Sequence, residues 1–239
     1  PEVGFVRRTD FRRTHGMARF SPRTPGSRLV RRLSWQAGYD YVEDDARTVV
    51  QNRLATGDFN MEFNSGDALS LTYQREYEFV PRNFLIATGV VVPSGGYDYS
   101  NLRFSYSVGR QRMVSGQLAA ATGSFYGGGD KHEASYSGYV SFSPHFAIEP
   151  AISLAWVDLP YGEFTARVVS SRFIITPTAR LMVSSLTQYN AALNAISSSA
   201  RLRWEYRPGS ELFLVYSDGR NTLSPGVPDL VSRSLALKV

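Results

Sequence analysis

The sequence predicts an all-β protein whose strands follow one another in an antiparallel, up-and-down order. Three observations predict this class: apolar and polar residues alternate over many segments of about ten residues, turn residues separate these segments, and no segment has the period of an amphipathic helix. The 239 residues include 14 Tyr, 14 Phe and 3 Trp, and such aromatic residues favour strands. The composition and the period of the alternation therefore both predict β-strands.

Thirteen segments carry the period-two alternation and are bounded by Gly, Pro, Asn or Asp. We expect about 12 to 14 strands, because the alternation is weak in two of the segments. Single-chain bacterial barrels contain an even number of strands, so thirteen segments suggest that the barrel is incomplete in this chain. The predicted strands lie near residues 11–20, 29–42, 48–63, 68–79, 99–108, 113–125, 132–142, 146–157, 163–175, 179–189, 196–206, 211–217 and 230–239.

The connections between these segments fall into two alternating sets. One set consists of tight turns at residues 64–67, 108–112, 143–145, 176–178 and 207–210, with a slightly longer one at 22–27. The other set lies at residues 43–46, 80–98, 127–131, 158–162, 190–194 and 218–229, and includes both long loops. Every second connection of a meander lies at the same end, so the tight turns share one end. This arrangement is typical of outer-membrane barrels.

The two faces of the strands differ, as RLRWEYRPGSELFLVY at residues 201–216 illustrates. Leu202, Trp204 and Tyr206 form an apolar face, whereas the residues between them are charged; beyond the Pro-Gly turn both faces are apolar. A soluble barrel or sandwich would bury the apolar face, and a membrane barrel would turn it toward lipid. Several segments exceed the five or six residues of a typical globular strand and reach the roughly 9 to 11 that cross a membrane. We therefore expect an antiparallel, up-and-down transmembrane β-barrel.

Composition excludes several other classes of protein. No apolar run approaches the roughly 18 to 20 residues of a membrane helix. The net charge of +5 comes from arginines spread along the chain, and no nucleic-acid-binding motif accompanies them. The three histidines lack metal-ligand spacing, Cys is absent, and no nucleophile motif occurs. We expect no enzyme activity, no cofactor and no metal.

Charged residues on the polar faces are the candidate binding residues. If those faces line a lumen, their charges set ion selectivity or hold a plug; otherwise they are solvated or mutually paired. The candidates are Arg103, Glu149, Arg201, Arg203 and Glu205.

Several segments resemble the C-terminal region of bacterial outer-membrane proteins that carry an N-terminal carbohydrate-binding-like module of the family-nine type. The segments are PEVGFVRRTDFRRTHGMARFSPR, GQLAAATGSFYGGG, VDLPYGEFTARVVSSRF, LTQYNAALNAISSSARLRWEYRPGSELFLVYSDGRN and SRSLALKV. The resemblance covers nearly the whole chain and implies a β-barrel region of unknown function. It implies that residues 1–239 form a single barrel domain, the C-terminal part of a larger protein, with the sugar-binding module absent.

The expected function is that of a bacterial outer-membrane barrel, either a porin-like channel or the membrane anchor of a glycan-related surface protein. The alternatives are a plugged scaffold barrel in a multi-chain assembly and a soluble all-β binding domain. The expected partners are outer-membrane lipid or lipopolysaccharide, with glycans and neighbouring protein chains as further candidates.

Overall fold

The computed structural model describes residues 11–223 and 228–238, and in this part of the chain the fold is all-β. A single 3-10 turn, Tyr126–Gly128, interrupts the strands among these residues. The strands are β1 (Phe11–Phe20), β2 (Val30–Asp44), β3 (Val50–Phe63), β4 (Ala68–Val80), β5 (Phe84–Ala87), β6 (Val90–Val92), β7 (Gly95–Val108), β8 (Val114–Phe125), β9 (Gly129–Ser143), β10 (Phe146–Leu159), β11 (Gly162–Thr178), β12 (Leu181–Asn190), β13 (Ala195–Arg207), β14 (Ser210–Asn221) and β15 (Asp229–Lys238).

Thirteen of these strands belong to one sheet, in the order β1-β2-β3-β4-β7-β8-β9-β10-β11-β12-β13-β14-β15, and β5 and β6 form a separate hairpin. Within this sheet the strands follow the order of the sequence, with only β5 and β6 left out, and each of the thirteen overlaps a predicted segment. The predicted all-β class and the antiparallel, up-and-down order are therefore confirmed. The terminal strands of this order, β1 and β15, are exposed along their whole length.

Three connections of the second set differ from their predicted form. The predicted loop at residues 80–98 contains the β5–β6 hairpin, and β9, β10 and β11 extend beyond their predicted ends. As a result only residues 126–128 join β8 to β9, and only residues 160–161 join β10 to β11. The difference between the two strand ends therefore rests on a few connections.

The turn between β13 and β14 shows how the sequence fixes a hairpin. Pro208 restricts its own backbone and Gly209 has a φ of +79°, the combination that a type II turn needs. Opposite residues in an antiparallel pair share a face, and Trp204 pairs with Leu212 while Arg203 pairs with Phe213. The register thus decides the faces of β14, which sequence alternation leaves open.

The chain divides into two compact units. Unit 1 holds the described residues up to Ser105, with Ala120–His132 and Trp156–Phe164. Unit 2 holds Tyr106–Ala119, Glu133–Ala155 and the described residues from Thr165 onward. Strands β7 to β11 contribute to both units, and a single domain over residues 1–239 stays a prediction.

Unit 1 contains a buried apolar cluster, and unit 2 an ion-pair network around one buried carboxylate. The cluster is formed by Val80, Val90, Val92, Tyr97, Tyr126, Val157 and Leu159. In unit 2 the buried Asp218 accepts a 2.8 Å hydrogen bond from Arg220 Nε and lies 3.6 Å from Arg233 Nη2. No helix among the described residues has the length and apolar character needed to cross a membrane.

The two faces of the strands differ in exposure as well as in chemistry. In β4, Leu71 and Tyr73 are exposed, whereas Ser70, between Leu69 and Leu71, is half-buried. In β7, Leu102 and Phe104 are exposed and Ser105 is buried. Ser70 Oγ and Ser105 Oγ lie 2.6 Å apart, so the two serines share one face. We call the face with these serines the polar face and the opposite one the apolar face.

Candidate functional site

The polar face of unit 1 carries a group of two carboxylates, two phenols and one amide, which we call the acid–tyrosine cluster: Asn52, Glu76, Glu78, Tyr99 and Tyr126. Glu76 and Glu78 lie on β4 with the parity of Ser70. Glu78 Oε2 accepts hydrogen bonds from Tyr126 Oη at 2.7 Å and from Tyr99 Oη at 3.1 Å. Asn52 Nδ2 donates to Glu76 Oε1 at 2.9 Å. Each carboxylate therefore has at least one donor.

The Tyr126 phenol is a fixed donor in this cluster. Tyr126 follows β8 in the 3-10 turn and its side chain is buried. Burial, with the neighbouring Glu78 carboxylate as the next cause, raises the pKa of Tyr126. The ordinary pKa of a tyrosine is about 10, so Tyr126 stays neutral at physiological pH and donates to Glu78.

An aromatic layer joins the acid–tyrosine cluster to the apolar cluster of unit 1. The Tyr126 ring lies 5.6 Å from the Phe84 ring and 5.2 Å from the Tyr97 ring, both edge to face. Such contacts between ring edges and faces are favourable beyond the apolar area they bury. The same tyrosine thus contacts apolar residues with its ring and a carboxylate with its hydroxyl.

A depression of about 420 Å³ lies in unit 2, between β11, β12 and β13. We call it the arginine depression; its lining residues are Arg172, Ile174, Met182, Ser184, Leu186, Ser199 and Arg201. The register explains why they meet, because Arg172 pairs with Leu186, Leu186 with Ser199, and Ser184 with Arg201. All of these side chains therefore lie on one face of three neighbouring strands.

The two arginines of the depression differ in their partners. Arg172 Nη1 donates to Glu149 Oε2 at 3.3 Å. The Arg201 guanidinium lies over the Phe213 ring, 5.0 Å from its centroid, and no carboxylate of the described residues forms a salt bridge with it. An arginine stacked on a ring keeps its N–H edges available for other acceptors. Together with the Ser184 and Ser199 hydroxyls, Arg201 has the chemistry to hold an anion or a polyol.

The structure brings some of the sequence-predicted site residues together. Glu149 reaches the arginine depression through Arg172, and Arg201 lines it. Arg203 is paired with Glu211, to which its Nε donates at 2.9 Å. Glu205 Oε1 accepts from the backbone N of Gly209 at 3.2 Å and so supports the turn. Arg103 is exposed in unit 1, on the β7 face that carries Ser105. Binding roles for these five residues stay predictions.

Sequence reasoning missed Arg172, Phe213, Glu76, Glu78, Tyr99 and Tyr126. A signal existed for the two glutamates, which alternate with apolar residues in β4 as Arg201 and Arg203 do in β13. No such signal exists for Arg172, because its position in the arginine depression depends on the pairing of β11 with β12. Tyr126 and Glu78 are 48 residues apart, and only the sheet order brings them together.

Two of the histidines contact oxygen atoms, both at exposed positions. His132 Nδ1 lies 2.9 Å from Thr122 Oγ1, and His145 Nδ1 lies 2.8 Å from the Thr176 carbonyl oxygen. Across residues 11–223 and 228–238, no three His, Asp or Glu side chains are grouped so that they could hold a metal ion. The expectation of no enzyme activity stays a prediction.

Comparison with known proteins does not assign the chain to a family. No protein-family model matches the chain, and no curated protein matches it. The resemblance to the barrel region of carbohydrate-binding outer-membrane proteins therefore stays a prediction.

Proposed function

We propose that the chain is the membrane-embedded β-barrel of an outer-membrane protein and acts as a porin-like channel. The observation that carries the proposal is the inverted distribution of side chains: large apolar groups are exposed on one face of the strands, and the other face carries polar groups, the buried Ser105 among them. Tyr73 is 50% exposed, Phe104 44% and Trp204 47%, whereas Ser105 is 6% exposed. In a bilayer the apolar face contacts lipid and the polar face lines the lumen.

The amount of exposed apolar surface favours this placement over the soluble alternative. Leaving one large apolar side chain in water forgoes about 1.5 to 3 kcal/mol relative to burying it. Apolar residues of this kind occur on strands throughout the described chain, including Trp35, Leu71, Phe104, Ile152, Trp156, Val169, Phe173, Ile175 and Trp204. Apolar patches of more than a few hundred Å² are rare on soluble monomers and mark contact with a partner or a membrane.

Aromatic rings in contact along β1, β2 and β3 also support a membrane position. Phe20 stacks on Trp35 with ring centroids 6.0 Å apart, and Trp35 lies 5.5 Å from Phe59. These rings lie toward the tight-turn end of β1, β2 and β3. Tyr39 and Tyr41 stack at 6.5 Å toward the other end of β2. Aromatic girdles at both interfaces are typical of membrane barrels.

Strand length is consistent with spanning a membrane and extending past it. At about 3.3 Å per residue, a strand of 14 residues is roughly 46 Å long, whereas the hydrocarbon core is about 30 Å thick. β10 has 14 residues and β11 has 17. Even with the usual tilt, such strands extend beyond the lipid. We place the β5–β6 hairpin and the acid–tyrosine cluster in this projecting part.

Two measurements test the proposal. The purified chain should require detergent and should migrate differently on gels with and without heating; a chain that stays folded and soluble without detergent contradicts the membrane position. In planar bilayers it should produce discrete ion-conducting steps. A heat-modifiable barrel that never conducts over a range of voltages overturns the channel and leaves the second candidate.

The second candidate is a membrane anchor or scaffold whose lumen is filled. The β5–β6 hairpin favours it, because Val90 and Val92 are buried against the strands and do not extend into solvent. In that case the chain would hold a glycan-related surface protein or neighbouring chains in the membrane. The conductance measurement separates the two candidates.

A further inference from the structure

The β5–β6 hairpin is a two-sided element that lies within the longest predicted loop. Phe84 pairs with Val92 and Leu85 pairs with Val91. Val90 and Val92 are buried, Val92 completely, whereas Leu85 and Val91 are exposed. One side of the hairpin is therefore seated on the rest of unit 1, and the other side is free of it.

The seat of the hairpin comes from several strands of unit 1. Val80 of β4, Tyr97 of β7, Tyr126 after β8, and Val157 and Leu159 of β10 form one buried cluster with Val90 and Val92. Phe84, Ile86 and Ala87 pack against the same cluster. Every residue of this seat belongs to unit 1.

Polar contacts fix the base of the hairpin on its C-terminal side. The backbone N of Ser94 donates to Asn83 Oδ1 at 2.8 Å and closes the base. Tyr97 Oη donates to the Pro93 carbonyl oxygen at 2.8 Å. These bonds tie both ends of the hairpin to each other and to β7, so its position is set by hydrogen bonds as well as by apolar packing.

The hairpin covers the polar face of the strands and leaves the apolar face open. Val80 has the β4 parity of Glu76 and Glu78, and Tyr97 has the β7 parity of Ser105. On the opposite side of β4, Phe79 is exposed, and on the opposite side of β10, Trp156 is exposed. The apolar residues under the hairpin thus form a patch on the otherwise polar face, which would line the lumen.

A glycine beside β6 leaves room for the hairpin. Gly162, at the start of β11, has a φ of +133°, and a Cβ at this position would lie 3.1 Å from Val90 Cγ2. A larger residue there would press against β6 in a backbone conformation that side chains rarely adopt. Glycine at residue 162 therefore suits a seated hairpin.

We propose that the β5–β6 hairpin is a built-in constriction that folds over the lumen-facing side of the barrel and limits passage through it. This inference rests on the proposed membrane barrel. It adds a specific element, residues 84–92, that determines how wide the aqueous path is at the end of the longest loop.

The test compares three full-length forms in planar bilayers: the wild type, a form in which residues 84–92 are replaced by a short Gly-Ser linker, and the point variant Val92→Asp. Heat-dependent migration shows that each form is folded and inserted. We expect the linker form to conduct severalfold more than the wild type, and Val92→Asp to shift in the same direction because a buried carboxylate unseats the hairpin.

Val91→Asp is the matched control, because Val91 immediately precedes Val92 in the same strand and is 44% exposed. It adds the same charge without unseating the hairpin, so its conductance should stay near that of the wild type. If Val91→Asp and Val92→Asp change conductance equally, charge and not seating is responsible, and the constriction is overturned.

The outcomes also separate the constriction from the channel. If the wild type does not conduct but the linker form does, the constriction is supported. The wild-type chain is then a plugged barrel and not an open channel. A conducting wild type with an equally conducting linker form overturns the constriction and leaves the channel. If both inserted forms are silent, the channel and the constriction are both overturned, because something other than the hairpin closes the path.

Discussion

Tyr126 Oη donates a 2.7 Å hydrogen bond to Glu78 Oε2 and thereby joins the turn after β8 to β4. The same tyrosine packs its ring against Phe84 of the β5–β6 hairpin. The apolar seat of the hairpin and the carboxylates of the polar face are therefore connected through one side chain.

Removing the Tyr126 hydroxyl should weaken this connection without removing the ring. We expect Tyr126→Phe to lower the free energy of unfolding by about 1 to 2 kcal/mol, since the lost bond is to a carboxylate and Tyr99 still donates to Glu78. Denaturant titration in detergent gives the value. Tyr73→Phe is the control, because Tyr73 lies exposed on the apolar face. Equal losses in both variants would contradict a special role for Tyr126.

The raised pKa of Tyr126 predicts a loss of stability at alkaline pH. Burial makes the folded state hold the phenolic proton more tightly than the unfolded state, whose tyrosines titrate near the ordinary value of about 10. The stabilisation is thus fully present below about pH 10 and is lost as the pH rises toward the higher pKa of the folded state. Unfolding midpoints measured between about pH 8 and pH 11 should fall, and should fall less in Tyr126→Phe. An identical pH dependence in the two proteins would refute the assignment.

The thirteen strands of the sheet could be predicted from alternation because a strand displays its environment at every second residue. β1 has the predicted bounds, and β13 extends only one residue beyond its prediction at each end. The β5–β6 hairpin could not be predicted, because the run from Phe84 to Val92 is apolar on both parities. It therefore lacks the alternation of apolar and polar residues by which the other strands were predicted. Which of its side chains are buried is decided by its packing against the buried cluster of unit 1, and the local sequence does not encode this packing.

The candidate site could be predicted only in part, for a related reason. Arg201 and Glu149 were recognisable as charges on a polar face. The aromatic support of Arg201 depends on the β13–β14 register, which places Phe213 opposite Arg203. The pairing of Glu149 with Arg172 links β10 and β11, two strands whose mutual register the alternation does not encode. The face on which a residue lies can be predicted from the local sequence, whereas its neighbours on adjacent strands cannot.

The face assignment of β13 predicts unequal effects of substitutions at neighbouring positions. Leu202→Arg should impair membrane insertion by roughly 2 to 4 kcal/mol if the position is near the bilayer midplane, and Trp204→Asp should also impair it. Arg203→Ser, on the opposite face, loses an exposed ion pair with Glu211, which is worth at most about 1 kcal/mol. Folding into vesicles, followed by heat-dependent migration, measures all three. Equal effects on the two faces would contradict the inside-out assignment.

The arginine depression predicts a change in ion selectivity when Arg201 is neutralised. If the depression faces the lumen, Arg201→Gln should shift the permeability ratio toward cations. Two unit charges about 8 Å apart in water interact by about 0.5 kcal/mol, which corresponds to roughly a twofold change. Reversal potentials across a salt gradient measure the ratio, in the wild type or in the form lacking the hairpin, whichever conducts. Arg75→Gln is the control, since Arg75 has the parity of Tyr73 on the apolar face. A shift of the same size in both variants would place Arg201 outside the path of the ions.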